Sequence, residues 1–140
     1  MKATLSWAGE KAFAYKSNSG FEGFVDGAAK DSEQAKGPSP MELVLVGLGG
    51  CTSYDVVSIL QKSRQDVVDC QTELQADRAS TVPAVFTKIH IHFLVSGRQL
   101  KEAQVKRAVS LSAEKYCSAS LMLERGGVEI SHSYEIIDVE

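Results

Sequence analysis

The chain has 140 residues, 44% of them hydrophobic and 24% charged, a balance that suits one folded domain over residues 1–140 and excludes extended disorder. Its formal charge is -3, from 15 Lys and Arg against 18 Asp and Glu, with no basic stripe, so nucleic acid is not an expected partner. The alternating start Met-Lys-Ala-Thr-Leu-Ser-Trp lacks the apolar centre of a secretory leader, and the apolar run Leu43 to Leu48 is too short to span a bilayer; a cytoplasmic protein without a membrane partner is expected.

Thr4 to Trp7, Lys11 to Tyr15 and Phe21 to Val25 read as three short strands separated by Ala8-Gly9-Glu10 and Ser17-Asn18-Ser19-Gly20, both turn sequences. Asp26 to Gly37 is small, polar and glycine-containing, which predicts an exposed, mobile loop with nothing to bury. Pro38-Ser39-Pro40 then opens a helix, with Ser39 as the cap, that runs from Met41 to about Lys62. Its first half is apolar on nearly all sides, the pattern of a buried helix. Each of Gly47, Gly49 and Gly50 costs such a helix about 1 kcal/mol relative to alanine, which predicts close approach by a second helix there.

Val67 to Ala76 and Val85 to Val95 read as strands. Gln99 to Tyr116 follows as an amphipathic helix with Val105, Ala108, Val109, Ser112 and Tyr116 facing inward. A short helix from Ser118 to Glu124, stopped by Gly126-Gly127, and a last strand from Val128 to Val139 complete the order β-β-β-α-β-β-α-α-β. The expected class is α+β, helices against antiparallel sheet.

Three cysteines in a reducing compartment are packing or chemistry rather than a disulfide framework. Cys51 shares a helical stripe with Val44, Leu48, Asp55 and Ser58. Cys117 falls where two helices meet, beside the start of the Ser118 helix, whose free N–H groups favour a thiolate. Asp55, one turn beyond Cys51 on its own face, is a negative charge that disfavours a thiolate. Cys70, on a strand with neither glycines nor a helix end around it, reads as structural or exposed. The chain has no Cys-x-x-Cys pair, and His90 and His92 offer two ligands at most from one strand face, so no metal is expected. His132 reads, like those two, as a half-exposed strand position. The glycines before Cys51 lie inside a helix pattern, neither on a nucleophile elbow nor in a phosphate loop, which argues against hydrolase and nucleotide sites.

Pro38-Ser39-Pro40-Met41-Glu42-Leu43 leading to Gly50-Cys51, and Ala113-Glu114-Lys115-Tyr116-Cys117-Ser118, resemble the OsmC/Ohr superfamily of osmotically inducible and organic hydroperoxide resistance proteins. Residues 55–61, 64–70 and 112–117 look closest to its YhfA-like branch, and the resemblance covers essentially the whole chain. It implies an intertwined homodimer with antiparallel sheets wrapped around central helices, and a site at the subunit interface. It also implies a cysteine-based peroxidase: Cys51 attacks a small hydrophobic or peroxide substrate and becomes a sulfenic acid, Cys117 resolves it to a disulfide, and a dithiol partner reduces that, with no cofactor. Glu42 and Asp55 are the supporting residues. Peroxidase members also carry an arginine from the N-terminal strands and a glutamate after the proline. Here the first arginine is Arg64, and Met41 stands at the glutamate position with Glu42 one residue later. A second reading therefore stands beside the first: a non-peroxidatic member that uses the interface site for ligand binding or redox sensing.

Overall fold

The structure, a computed structural model, describes residues 1–29 and 34–140. The elements are β1 (Ala3–Trp7), β2 (Ala12–Ser17), β3 (Glu22–Asp26), α1 (Pro40–Lys62), β4 (Asp66–Arg78), β5 (Phe86–Arg98), α2 (Glu102–Leu111), a π-helical turn (Ser112–Tyr116), α3 (Ser118–Arg125) and β6 (Glu129–Asp138). This is the expected order of elements in a mixed α and β fold with two three-stranded sheets. The chain divides into two compact units, Met1–Val46 and Gly47–Glu140.

In the first unit β1, β2 and β3 form an antiparallel meander. The tight turns use the left-handed conformation at Gly9, Glu10 and Gly20, as their small, polar sequences allow. The exposed loop expected over residues 26–37 includes residues 30–33, which lie outside the described residues. Its described ends are tied down rather than loose. Asp26 is buried; its carboxylate accepts from the Ala28 N–H at 2.9 Å and the Lys36 N–H at 3.1 Å. These donors, with the nearby charges of Lys36 and Lys11, hold its carboxyl below the ordinary value of 3.8. Ser39 caps α1 as expected, and reciprocally: the Glu42 N–H donates to Ser39 Oγ at 3.2 Å, while the Ser39 N–H donates to Glu42 Oε2 at 2.7 Å.

The second unit is built on β4-β5-β6. Alternation in β5 works as pattern reasoning requires. Ile89, Ile91, Phe93 and Val95 are fully buried, while His90 and His92 project from the other face. One expectation fails here. β4 and β5 pair antiparallel, but β5 and β6 pair parallel, so this sheet is mixed. The chain between β5 and β6 crosses back through α2, the π turn and α3, and such a crossover returns a strand in the same direction.

α1 also differs from its expectation. Leu48, Thr52, Val56 and Leu60 form a buried stripe, yet Val46 is 64% and Tyr54 74% exposed, so the helix is buried on one side only. Taken whole, α1 is long and apolar enough to cross a membrane, which the short run Leu43 to Leu48 concealed; within the chain, its Leu48, Thr52, Val56 and Leu60 stripe is buried. No helix crosses at the glycines among the described residues. Gly49 is met by the Leu74 side chain of β4, whereas Gly47 and Gly50 have open space where a Cβ would stand. The second long helix is shorter than expected at both ends, because Gln99 adopts a positive φ of 51° and the π turn replaces the last α turn.

Two outcomes test this packing. A Cβ on Gly97 would run into the Asp66 backbone carbonyl across the β4–β5 pair, so Gly97→Ala is expected to destabilise by about 1–3 kcal/mol in denaturant melts. A Cβ on Gly49 meets only the tip of Leu74 at 2.8 Å, and the gain of about 1 kcal/mol in helix propensity offsets that clash, so Gly49→Ala is expected to be close to neutral. Because the folded pKa of Asp26 is lowered, its contribution is present above the ordinary carboxylate value and is lost as pH falls through the folded value. Asp26→Asn is therefore expected to melt below the wild type at neutral pH, with the gap closing below pH 3.8.

Candidate functional site

Of the candidate side chains, Cys51, Asp55 and Cys117 lie in the second unit and Glu42 in the first. Cys51 sits at the middle of α1, half buried, one residue before the buried Thr52. From the other direction α2 delivers Ser112 to a buried position, and the π turn is closed by the Cys117 N–H donating to the Ser112 carbonyl at 2.9 Å. This i to i+5 turn winds less per residue than an α turn. Tyr116, expected to face inward, consequently swings out to half exposure, and Cys117 becomes extended and fully buried.

Cys51 and Cys117 are brought together. Their Sγ atoms and a carboxylate oxygen of Asp55 all lie within 4.8 Å of one another. The supports of this cluster are buried polar contacts. Thr52 Oγ1 and Ser112 Oγ are 2.9 Å apart, and Ser112 Oγ donates to Asp55 Oδ2 at 3.1 Å. Losing the Ser112 hydroxyl leaves the buried Thr52 Oγ1 without its partner, a cost of about 1–3 kcal/mol, whereas Ser112 keeps Asp55 if the Thr52 hydroxyl is lost. The relay thus ties α1 to the π turn at the level of the two thiols.

Cys117 is the N-cap of α3: its Sγ accepts from the Ser120 N–H at 3.4 Å. The sequence led us to expect that this helix end would favour a thiolate. Burial outweighs it. Desolvation, then contact with Cys51 and the nearby charge of Asp55, push the Cys117 thiol from 9.0 up to about 12, with the Ser120 N–H only partly opposing them. Cys117 therefore keeps its proton at neutral pH.

Glu42 is not part of this cluster; its carboxylate is committed to the cap of α1. Cys70 stands apart on β4, half buried, its thiol pushed up by burial while a hydrogen bond with Thr72 partly offsets that. His90 and His92 belong to a polar ladder, with His90 Nδ1 2.6 Å from Ser131 Oγ and Ser133 Oγ within 2.7 Å of both rings. His132 is half buried behind Phe93, and burial lowers its pKa.

A cleft of about 460 Å³ adjoins the cluster through Asp55 and is walled further by Tyr54, Lys62, Arg107, Leu111 and Tyr116. Lys62 and Arg107 make no ion pair or hydrogen bond among the described residues, so two unpaired cationic side chains line the cleft. Sequence reasoning missed Thr52, Ser112, Lys62 and Arg107. Ser112 did carry a signal, as a hydroxyl at an inward helix position, where a buried polar group needs a partner.

The OsmC-like protein family model matches residues 32–133. Protein YhfA of Escherichia coli K12 is 53% identical over 137 residues, 98% of each chain. A crystal structure of a hypothetical protein from Aquifex aeolicus VF5 is 31% identical and superposes with a TM-score of 0.85 over 99% of this chain and 97% of that one. The organic hydroperoxide resistance protein OhrB of Bacillus subtilis, at 18% identity, shares the fold with a TM-score of 0.61 over 96% and 98% of the two chains. From its matched residues, its full-length identity to YhfA and its fold, this chain belongs to the OsmC-like protein family.

Proposed function

We propose that this protein is a thiol-dependent peroxidase that reduces organic hydroperoxides through Cys51 and Cys117. The observation that carries the reading is the approach of the two sulfurs to within 4.8 Å, which makes them neighbours although they are distant in sequence. Membership of a family with hydroperoxide resistance proteins among its structural neighbours supports it. Half-exposed Cys51 is the nucleophile and buried Cys117 the resolving thiol.

The two steps balance. The Cys51 thiolate attacks the terminal peroxide oxygen, the O–O bond breaks, and Cys51 becomes a sulfenic acid. The alkoxide that leaves takes the Cys117 proton and departs as an alcohol. The Cys117 thiolate so formed attacks the sulfenic sulfur, closing the disulfide and expelling hydroxide, which a solvent proton converts to water. A dithiol partner reduces the disulfide by exchange. Proton retention by Cys117 is an asset in this scheme, because it stores the proton that the leaving alkoxide needs.

The active form is a cytoplasmic homodimer in this reading. Support comes from apolar side chains left exposed within one chain: Leu5, Trp7 and Phe13 on the meander, and Val44, Val46 and Tyr54 on α1. A second reading, ligand binding or redox sensing without peroxide turnover, is favoured by one observation. No lysine or arginine hydrogen-bonds Cys51 among the described residues, and Asp55 is the charged group in its cluster.

Purified protein with a dithiol reductant is expected to consume tert-butyl and cumene hydroperoxide. Cys51→Ser is expected to lower turnover by at least about 100-fold. Cys117→Ser should still form one sulfenic acid per chain, trapped by dimedone, but stall before steady turnover. A wild type inert towards both peroxides would transfer the site to the second reading.

The raised pKa of Cys117 makes a separate alkaline prediction. The contribution of this thiol to stability is complete below 9.0 and is lost as pH rises from there towards about 12. Under reducing conditions the wild type is expected to lose stability across that window faster than Cys117→Ala, measured by denaturant melts. Alkylation at pH 8 should leave Cys117 unmodified in the folded protein while Cys51 reacts; equal labelling of both would show that Cys117 is neither buried nor protonated.

A further inference from the structure

The same cluster has the composition of a metal site. We propose that reduced Cys51, Cys117 and Asp55 bind one thiophilic divalent cation, of the zinc class, and that metal binding and disulfide formation exclude one another.

Geometry carries this. Zinc takes thiolate sulfur at about 2.3 Å and carboxylate oxygen at about 2.0–2.2 Å, which sets tetrahedral ligand atoms about 3.4–3.8 Å apart. The three ligand atoms here already lie within 4.8 Å of one another, so they need to converge by about 1 Å, within the reach of side-chain torsions. Two sulfurs and one oxygen form a set that favours zinc-like cations over magnesium or calcium, which prefer oxygen alone. Three protein ligands leave a fourth position for water or a small ligand, the pattern of an open rather than a structural zinc site.

Two ligands are already oriented from outside. Asp55 Oδ2 accepts from Ser112 Oγ at 3.1 Å, and Ser112 is held in turn by Thr52 at 2.9 Å. The Ser120 N–H donates to Cys117 Sγ at 3.4 Å. Supports of this kind are what ligating carboxylates and thiolates require, because they fix the lone pairs that face the cation. Electrostatics agrees as well. Two thiolates and a carboxylate around a dication leave one net negative charge, and the unpaired Lys62 and Arg107 line the cleft that Asp55 shares. The absence of a Cys-x-x-Cys pair does not weigh against such a site, since its ligands come from two distant helical segments.

Binding is balanced by protons: as the two metal–sulfur bonds form, the two thiol protons pass to solvent. A disulfide has no thiolate to offer, so oxidation of the pair releases the cation. Reciprocally, a bound cation occupies the lone pairs that Cys51 would use against a peroxide.

The test uses the full chain, reduced and metal-free, titrated with zinc(II) against a chromophoric chelator and with cobalt(II) by absorption. One cation per chain is expected, with thiolate-to-cobalt charge transfer in the near ultraviolet. Cys51→Ser and Cys117→Ser are each expected to weaken zinc by at least about 100-fold, and Asp55→Asn by about 10–100-fold. His90→Gln with His92→Gln should leave the affinity unchanged, and the oxidised protein should bind none. If a cysteine variant fails to fold, judged by circular dichroism, Asp55→Asn decides. Lack of charge transfer in the reduced wild type, or zinc affinity that survives Asp55→Asn and both cysteine variants, overturns the proposal. Protein that reduces hydroperoxides but takes up no cation overturns this inference alone. Protein that binds the cation but leaves peroxides untouched overturns the peroxidase reading alone.

Discussion

The hydrogen bond between Thr52 and Ser112 joins two segments that share no local geometry, the middle of α1 and the π turn after α2. Both hydroxyls are fully buried, so neither can exchange its partner for water without cost. This contact lies between the two segments that carry the cysteines. Thr52 follows Cys51, Ser112 closes the turn that presents Cys117, and the Ser112 hydroxyl also reaches Asp55. A buried polar pair of this kind stabilises little on balance, but it admits few alternative registers, which is what a two-sulfur site requires.

The chemistry of the two thiols follows from unequal burial. Cys117 has no exposed surface, and the end of α3 supplies one N–H to its sulfur. One hydrogen bond does not replace the water that burial removes, so the proton stays. Cys51 retains access from outside. An accessible thiol, a proton-holding thiol and a neighbouring carboxylate are the arrangement on which the proposed peroxide reduction and the proposed cation binding both rest.

The sheet of the second unit supplies the rigid platform. Its buried face presents Ile89, Ile91, Phe93 and Val95, against which hydrophobic burial of about 1.5–3 kcal/mol per large side chain can accumulate. The parallel pairing of β6 with β5 exists because α2, the π turn and α3 form the return crossover. That crossover also carries Ser112 and Cys117. The strand order and the site are therefore consequences of one connection.

The sequence by itself determined the order of the nine expected elements, the cap of α1 at Ser39, the inward face Val105, Ala108, Val109 and Ser112, and the helical contexts of Cys51 and Cys117. These are local matters, read from periodicity, turn residues and caps. Tertiary structure alone decided the rest. It set the distance between the sulfurs, the parallel strand pair, the open side of α1 and the cationic cleft behind Asp55. It also reversed the expectation for the Cys117 thiolate, since a helix end can be read from neighbours in the chain while desolvation depends on everything packed around the atom. Periodicity tells which face of an element is turned inward; only the folded chain tells what it meets there.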